Sequence, residues 1–195
     1  MITIINSGGS NLASVCNALD RLDAPWQISN DPDQIFKADK VLLPGVGHAS
    51  QAMAKIEKAS LQDLLPKLTQ PTLGICLGMQ LLFESSEEGD TECLKIMPGR
   101  VHRIPESQGL SLPHIGWNRL LFQGRSDLLK GIDEGSFMYF VHSYQAPMGP
   151  ETKAYCEYGC PVPAVVERDN FFGAQFHPEK SAQLGQKLLG NFLAL

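Results

Sequence analysis

Residues 71–83 read PTLGICLGMQLLF and set Gly74, Cys76 and Gly78 in a G-x-C-x-G arrangement. It falls where an apolar, strand-like run gives way to a helical pattern, as in a nucleophile elbow. Such a turn strains its central residue and lifts that side chain over the sheet edge, and it needs glycine on either side so that neighbouring backbone can pass closely. A cysteine there sits at a helix N-terminus, where the dipole and unpaired amides favour the thiolate, the form that attacks carbonyl carbon. The Leu77 N–H is then placed to face the oxyanion that develops. The competing reading is a buried small hydrophobe, which is how most free cysteines behave.

A second segment, GAQFHPEKS at 173–181, sets His177 and Glu179 two apart around Pro178. Proline fixes its own φ and biases the preceding residue toward extended backbone, where residues i and i+2 point the same way. Imidazole and carboxylate can thus share one side. A histidine base needs a partner that holds its tautomer and stabilises the imidazolium, and Glu179 fits that role. The alternative is a solvated loop. His48, His102, His114 and His142 have no acid at a comparable spacing, and His48 and His142 read as site-adjacent at most. No G-x-S-x-G occurs, so cysteine rather than serine chemistry is expected. Cys16 falls on an apolar helix face, Cys93 in a loop, and Cys156 and Cys160 in CEYGC lack the further ligands of a metal site; no metal is expected.

These residues need elements to position them. The first half alternates short apolar runs (2–5, 26–28, 41–43, 72–75) with helical patterns, the first entered at Ser10 or Asn11 after a turn at Gly8 and Gly9. A second helical stretch covers 49–68, as one or two helices. Alternating strands and helices imply right-handed crossovers and a doubly wound, mainly parallel α/β sheet. From about residue 95 the texture becomes short β-like pieces (100–104, 114–121, 137–141, 152–158, 162–167) that read as an added antiparallel portion. A hairpin is expected at Arg168-Asp169-Asn170, and Leu184, Leu188, Leu189, Phe192 and Leu195 form the inward stripe of a last helix. No linker or repeat appears, so residues 1–195 read as a single domain.

At 43% hydrophobic and 19% charged residues the chain is of ordinary globular composition. A formal charge of -5 offers no basic footprint, so no nucleic-acid partner is expected. No apolar run reaches the length of a membrane span, MITIINSGGS lacks the features of an export signal, and five cysteines without framework spacing suit a reducing compartment. A cytoplasmic protein with no membrane association is the expectation.

Taken in order, LPGVGH at 43–48, GICLGMQ at 74–80 and FHPEKS at 176–181 resemble class I glutamine amidotransferases. Within that class, Met79 of GICLGMQ, HIGWN at 114–118 and YFVHSY at 139–144 are most similar to the family of glutaminase subunits of imidazole glycerol phosphate synthases, and the likeness covers nearly the whole chain. The resemblance implies a flavodoxin-like α/β fold and a cofactor-free reaction in which Cys76 attacks the side-chain amide of glutamine, ammonia leaves, and water activated by His177 hydrolyses the thioester. It implies a second oxyanion donor in the loop Gly45-Val46-Gly47, at Val46, and Gln80 as side-chain ligand of the substrate. It implies the backbone of Ser143 and Tyr144 as the substrate's edge partner and Glu88 at the α-amino group, with Glu84 and Glu87 as nearby alternatives.

The partner implied is a (βα)8-barrel cyclase subunit, forming a heterodimer in which ammonia crosses the barrel for histidine biosynthesis, with Asn11, Trp117, Tyr139 and Lys180 at the interface. Trp117 and Tyr139 read equally well as core aromatics. Related chains usually carry an acidic or aromatic residue and G-x-G-N after the first strand, where this chain has NSGGSN; the departure touches the docking surface. The glutaminase subunits of anthranilate or aminodeoxychorismate synthase are the nearest alternative, but they tend to carry histidine at the position of Met79 and lack HIGWN. A cysteine hydrolase on a similar fold would have no use for Gln80 or the strip at 143–144.

Overall fold

The computed structural model describes residues 1–7, 12–106 and 109–195. The expected turn at Gly8 and Gly9, the cap at Ser10 or Asn11, and the interface role of Asn11 lie outside the described residues. The early apolar runs form β1 (Ile2–Ile4), β2 (Trp26–Ile28), β3 (Lys40–Gly45) and β4 (Thr72–Cys76), all parallel, in the spatial order β2-β1-β3-β4. A late strand, β14 (Phe171–Ala174), joins parallel beside β4. This is the strand order of a doubly wound flavodoxin-like sheet.

Each central strand is buried on both faces, so it reads as a continuous apolar run yet alternates in what it touches. Along β3, Val41 and Leu43 enter one core and Leu42 the other. The Leu42 side is closed by α1 (Leu12–Asp20) through Val15 and Leu19 and by α5 (Ala182–Ala194) through Leu188, Leu189 and Phe192. The Val41 side is closed by α3 (Ala49–Lys58) through Ala52, Met53 and Ile56.

The stretch expected over 49–68 as one or two helices is α3, which stops at Lys58, and a single 3-10 turn at Leu65–Lys67. Ser60 takes a φ of 58°, and the N–H groups of Ser60 and Leu61 return to the carbonyls of Glu57 and Ile56 at 2.8 and 3.0 Å, which closes the helix end and reverses the chain. A short helix, α2 (Pro32–Phe36), was not expected, although its signal is present. Asp31 accepts from the N–H groups of Asp33 and Gln34 at 2.8 and 3.3 Å, and Pro32 occupies the first turn, where it loses no hydrogen bond.

The second half departs in part from a simple antiparallel portion. β13 (Pro161–Arg168), β12 (Thr152–Glu157) and β9 (Leu121–Phe122) continue the main sheet beyond β14 to eight strands, all antiparallel there. The expected hairpin is present: Arg168 pairs with Phe171, and Asp169 takes a φ of 53° in the two-residue turn. The run 114–121 does not stay one strand. β8 (His114–Arg119) pairs antiparallel with β10 (Phe137–His142) as a separate ribbon, and the buried Leu120 hands the chain to β9 in the main sheet. A small sheet of β11 (Tyr144–Gln145), β7 (Arg100–Arg103), β5 (Ser85–Ser86) and β6 (Thr91–Glu92) contains a parallel pair, β5 with β7. Two-residue polar strands such as β5 carry no periodicity to read.

Two glycines decide how tightly the sheet meets α4 (Leu77–Gln80). A Cβ on Gly74 would lie 2.6 Å from the Gly78 carbonyl oxygen, and one on Gly78 would lie 1.6 Å from the Leu43 carbonyl oxygen. Backbone cannot yield there as a flexible side chain would, so Gly78→Ala should destabilise the fold by about 3 kcal/mol or more in urea unfolding. Gly190 in α5 offers the contrast, since its nearest neighbour would be Leu22 Cδ2 at 3.9 Å. Gly190→Ala should therefore stabilise by about 0.5–1 kcal/mol through helix propensity.

Candidate active site

The strand-to-helix turn expected at Cys76 is present. Its φ of 54° and ψ of -111° belong to the region that side chains avoid, at a cost of about 1–3 kcal/mol, and the turn projects the sulfur from the carboxyl end of β4. The helix that follows is one turn long, so the dipole expected from the sequence reduces to the amides of that turn. The thiol lies 3.6 Å from the Val141 carbonyl oxygen, which accepts from it, and 3.8 Å from Gln175 Nε2, which donates to it. Its third neighbour is the ring of His177, hydrogen-bonded to the Cys76 side chain.

His177 has a φ of -97° and a ψ of 97°, the extended conformation expected before Pro178. Its Nδ1 meets Glu179 Oε1 at 2.8 Å, with both side chains buried, which leaves Nε2 for the sulfur. Backbone holds the ring in place: the His177 N–H donates to the Tyr139 carbonyl at 2.9 Å, the Tyr139 N–H donates to Ser181 Oγ at 3.0 Å, and that hydroxyl donates to the His177 carbonyl at 2.7 Å. Burial, the largest single influence, favours the neutral imidazole. The hydrogen bonds and charges of Cys76 and Glu179 together outweigh it and raise the pKa well above the usual histidine range.

Above these groups lies a cavity of about 360 Å³, a size suited to a small molecule. Cys76, Leu77, Val46, Gly47, Gln80, Glu88, Ser143, Tyr144, His177 and Lys180 all line it. Gly45 does not line it; it ends β3 behind the cavity wall, where an added Cβ would lie 2.9 Å from the Gly78 nitrogen. Of Glu84, Glu87 and Glu88 only Glu88 reaches the cavity, steadied by the Ala49 N–H on its Oε2 at 2.7 Å. Glu84 turns to the Gly99 N–H at 2.9 Å, and Glu87 to His102 and the Arg103 N–H at 3.0 and 2.8 Å.

Gln80 is less available than its expected role requires. Both its amide hydrogens are spent inside the protein, on the Tyr144 carbonyl and on Gln175 Oε1, each at 2.9 Å, so toward a ligand it offers its oxygen. The Ser143 carbonyl accepts from the Ile104 N–H at 2.9 Å, and the Tyr144 carbonyl accepts from both Gln80 and His142. The N–H groups of this strip are therefore the ones best suited to a ligand.

Sequence reasoning passed over Val141, Gln175 and the role of His142. Gln175 had a signal: two residues before His177 in an extended run, it shares a side with the imidazole. His142 lines the cavity with its Nδ1 on the Tyr144 carbonyl at 2.8 Å and its Nε2 3.1 Å from His114 Nδ1. Burial pushes its pKa down to about 3 and that of His114 to about 4, so both rings are neutral at ordinary pH. His48 caps α3, its Nδ1 accepting from the Ser50 N–H at 3.3 Å. Trp117 is 52% exposed and stacks edge-on against Tyr139 with centroids 5.9 Å apart, so it is no core aromatic.

The family described as glutamine amidotransferase class-I matches residues 3–195. The chain is 47% identical over 195 residues to the imidazole glycerol phosphate synthase subunit HisH of Escherichia coli strain K12, covering 100% of this chain and 99% of that one. It is 46% identical over 192 residues to the subunit of the same name from Pasteurella multocida, covering 98% and 96%. Among solved structures, a putative GMP synthase subunit from Thermoplasma acidophilum superposes with a TM-score of 0.76 at 19% identity, covering 99% of this chain and 92% of that one. The glutaminase domain of Trypanosoma brucei CTPS with bound acivicin does so at 0.69 and 16%, with the same coverage. Those two speak to fold alone; with a family match running to the last residue and near-half identity over full-length relatives, the chain belongs to the class-I glutamine amidotransferases.

Proposed function

We propose that this chain is the glutaminase subunit of an imidazole glycerol phosphate synthase, hydrolysing glutamine to glutamate and ammonia through a thioester on Cys76. The observation that carries the reading is the meeting of Cys76 and His177, from opposite halves of the chain, in the lining of one cavity, with Glu179 on the far nitrogen of the imidazole. The Cys76 thiolate adds to the side-chain amide carbon, and the electron pair of the carbonyl moves to oxygen. The N–H groups of Leu77 and Val46 receive that oxyanion; losing one such donor typically costs about 3 kcal/mol of barrier. His177, cationic beside the thiolate and Glu179, delivers its proton to the leaving nitrogen, and ammonia departs. The ring, now neutral, takes a proton from water, which attacks the thioester and releases glutamate and the thiolate. No step calls on a cofactor.

Glu88 is the group for the substrate α-amino nitrogen, and the 143–144 strip is the edge for its main-chain end. The partner is a (βα)8-barrel cyclase subunit in a heterodimer, and its docking surface is the outer face of the β8–β10 ribbon. Ile115, Trp117 and Phe137 are 60%, 52% and 49% exposed there, beside Tyr139, and Lys180 stands at the cavity mouth. Aromatic side chains crowded on one exposed face are the composition of an interface core. Val141 belongs to the same ribbon and to the cavity lining, so the docking face continues into the site. The cytoplasm is the proposed location.

Three outcomes test this. Cys76→Ala should lower glutamate release to background while leaving the urea midpoint close to the parent's. In that variant the His177 ring loses the hydrogen bond and charge of Cys76, two of the influences that raise its pKa, so its protonation followed by NMR should move to lower pH; an unmoved titration would mean that sulfur and ring do not interact. Adding the barrel cyclase with its nucleotide substrate should accelerate glutamate release. Equal rates with and without it would remove the proposed partner.

A further inference from the structure

Two contacts of the Cys76 sulfur, with Gln175 and with the Val141 carbonyl, lie outside its pairing with His177. Gln175 is fully buried just past β14, its backbone N–H held by the Ala164 carbonyl at 2.9 Å, and its Nε2 is the group 3.8 Å from the sulfur. The orientation of that amide is dictated by its neighbours. Gln80 must donate to the Tyr144 carbonyl, and its second hydrogen goes to Gln175 Oε1, so the oxygen of Gln175 faces Gln80 and its NH2 faces the sulfur. The Tyr144 carbonyl is itself fixed from behind. His142 donates to it through Nδ1, which makes Nε2 the acceptor for the His114 Nδ1–H, and His114 Nε2 in turn accepts from Asn118 Nδ2 at 3.3 Å. From β8 to the sulfur each donor is assigned by the next.

The Val141 carbonyl oxygen lies 3.6 Å from the same sulfur. It is a suitable acceptor for a thiol and a repulsive neighbour for a thiolate. We propose that Gln175 is a sulfur-positioning residue: its amide N–H, aimed by Gln80, holds the anionic sulfur of Cys76 away from the Val141 carbonyl and facing the cavity. This rests on the reading of Cys76 as the nucleophile and adds a group that acts on the sulfur itself, before any substrate arrives.

The test is alkylation of the full-length chain by iodoacetamide across pH, with the modified cysteine identified by mass spectrometry, alongside glutamine kinetics. Gln175→Met keeps an unbranched side chain of similar length and removes the donor. A single net hydrogen bond corresponds to about three- to tenfold in an equilibrium. With nothing holding the sulfur off the Val141 carbonyl, the variant should therefore alkylate Cys76 about three- to tenfold more slowly at every pH compared. The loss in glutamine turnover should fall on kcat, with KM within about twofold. An alkylation profile coincident with the parent's, or a loss falling wholly on KM, overturns the proposal. If Gln175→Met does not fold, Gln80→Met, which releases the clamp on Gln175, must slow alkylation in the same sense or the proposal fails. A parent chain whose Cys76 resists iodoacetamide while other cysteines react would overturn the nucleophile assignment instead, which separates the two claims.

Discussion

A non-glycine residue held at a φ of 54° between β4 and α4 is the constraint on which the site depends. The turn stays in its strained form because the backbone around it has no alternative place. Gly45, Gly74 and Gly78 let three segments approach to distances at which a single methyl group would collide with main-chain atoms. Packing of this kind is enforced by the large apolar cores on both faces of the sheet, so the cost of the strained residue is spread over the fold rather than borne by the loop. The sulfur is thereby delivered to a fixed point at the carboxyl ends of the parallel strands, where open α/β sheets present their ligands.

Around that point the protein sorts charge by environment. Four buried side chains that can ionise or carry a proton lie within a short distance, and they divide into two pairs. His177 with Glu179 forms a charge-compensated pair and keeps its proton against burial, whereas His142 with His114 has only neutral partners and is kept uncharged by the same burial. The division matters because a second cation at His142 would compete for the negative charge of the sulfur and would repel the imidazolium. A neutral His142 instead serves as a hydrogen-bonding strut under the Tyr144 carbonyl.

The parallel core was legible because strands buried on both faces appear as apolar runs, and the local backbone at Cys76 and His177 because glycine and proline impose geometry that can be reasoned about from spacing. The extended backbone at His177 and the positive φ at Cys76 both follow from their immediate neighbours. What escaped had no local signature. β5 and β6 are two residues each and polar; the division of 114–121 between two sheets depends on where Leu120 is buried; and Gln80 reads as a free ligand until Gln175 and the Tyr144 carbonyl are seen to take its hydrogens. The choice among Glu84, Glu87 and Glu88 is similarly tertiary, since three acids on one short stretch differ only in which backbone amides capture them.

The β8–β10 ribbon joins the outside of the molecule to both reacting groups through its main chain. Tyr139 shows its ring on the exposed face, while its carbonyl and N–H hold the His177 segment; two residues on, the Val141 carbonyl touches the Cys76 sulfur. Strand geometry makes this coupling unavoidable. Side chains that alternate across a ribbon share one backbone, so a partner that presses on Trp117 and Tyr139 moves the same peptide groups that set the distance between ring and sulfur. A two-stranded ribbon outside the main sheet is also easier to displace than β4 or β14, which are locked between neighbours on both sides. A displacement of that ribbon therefore acts on the distance between the Cys76 sulfur and the His177 ring directly, without a rearrangement of the core.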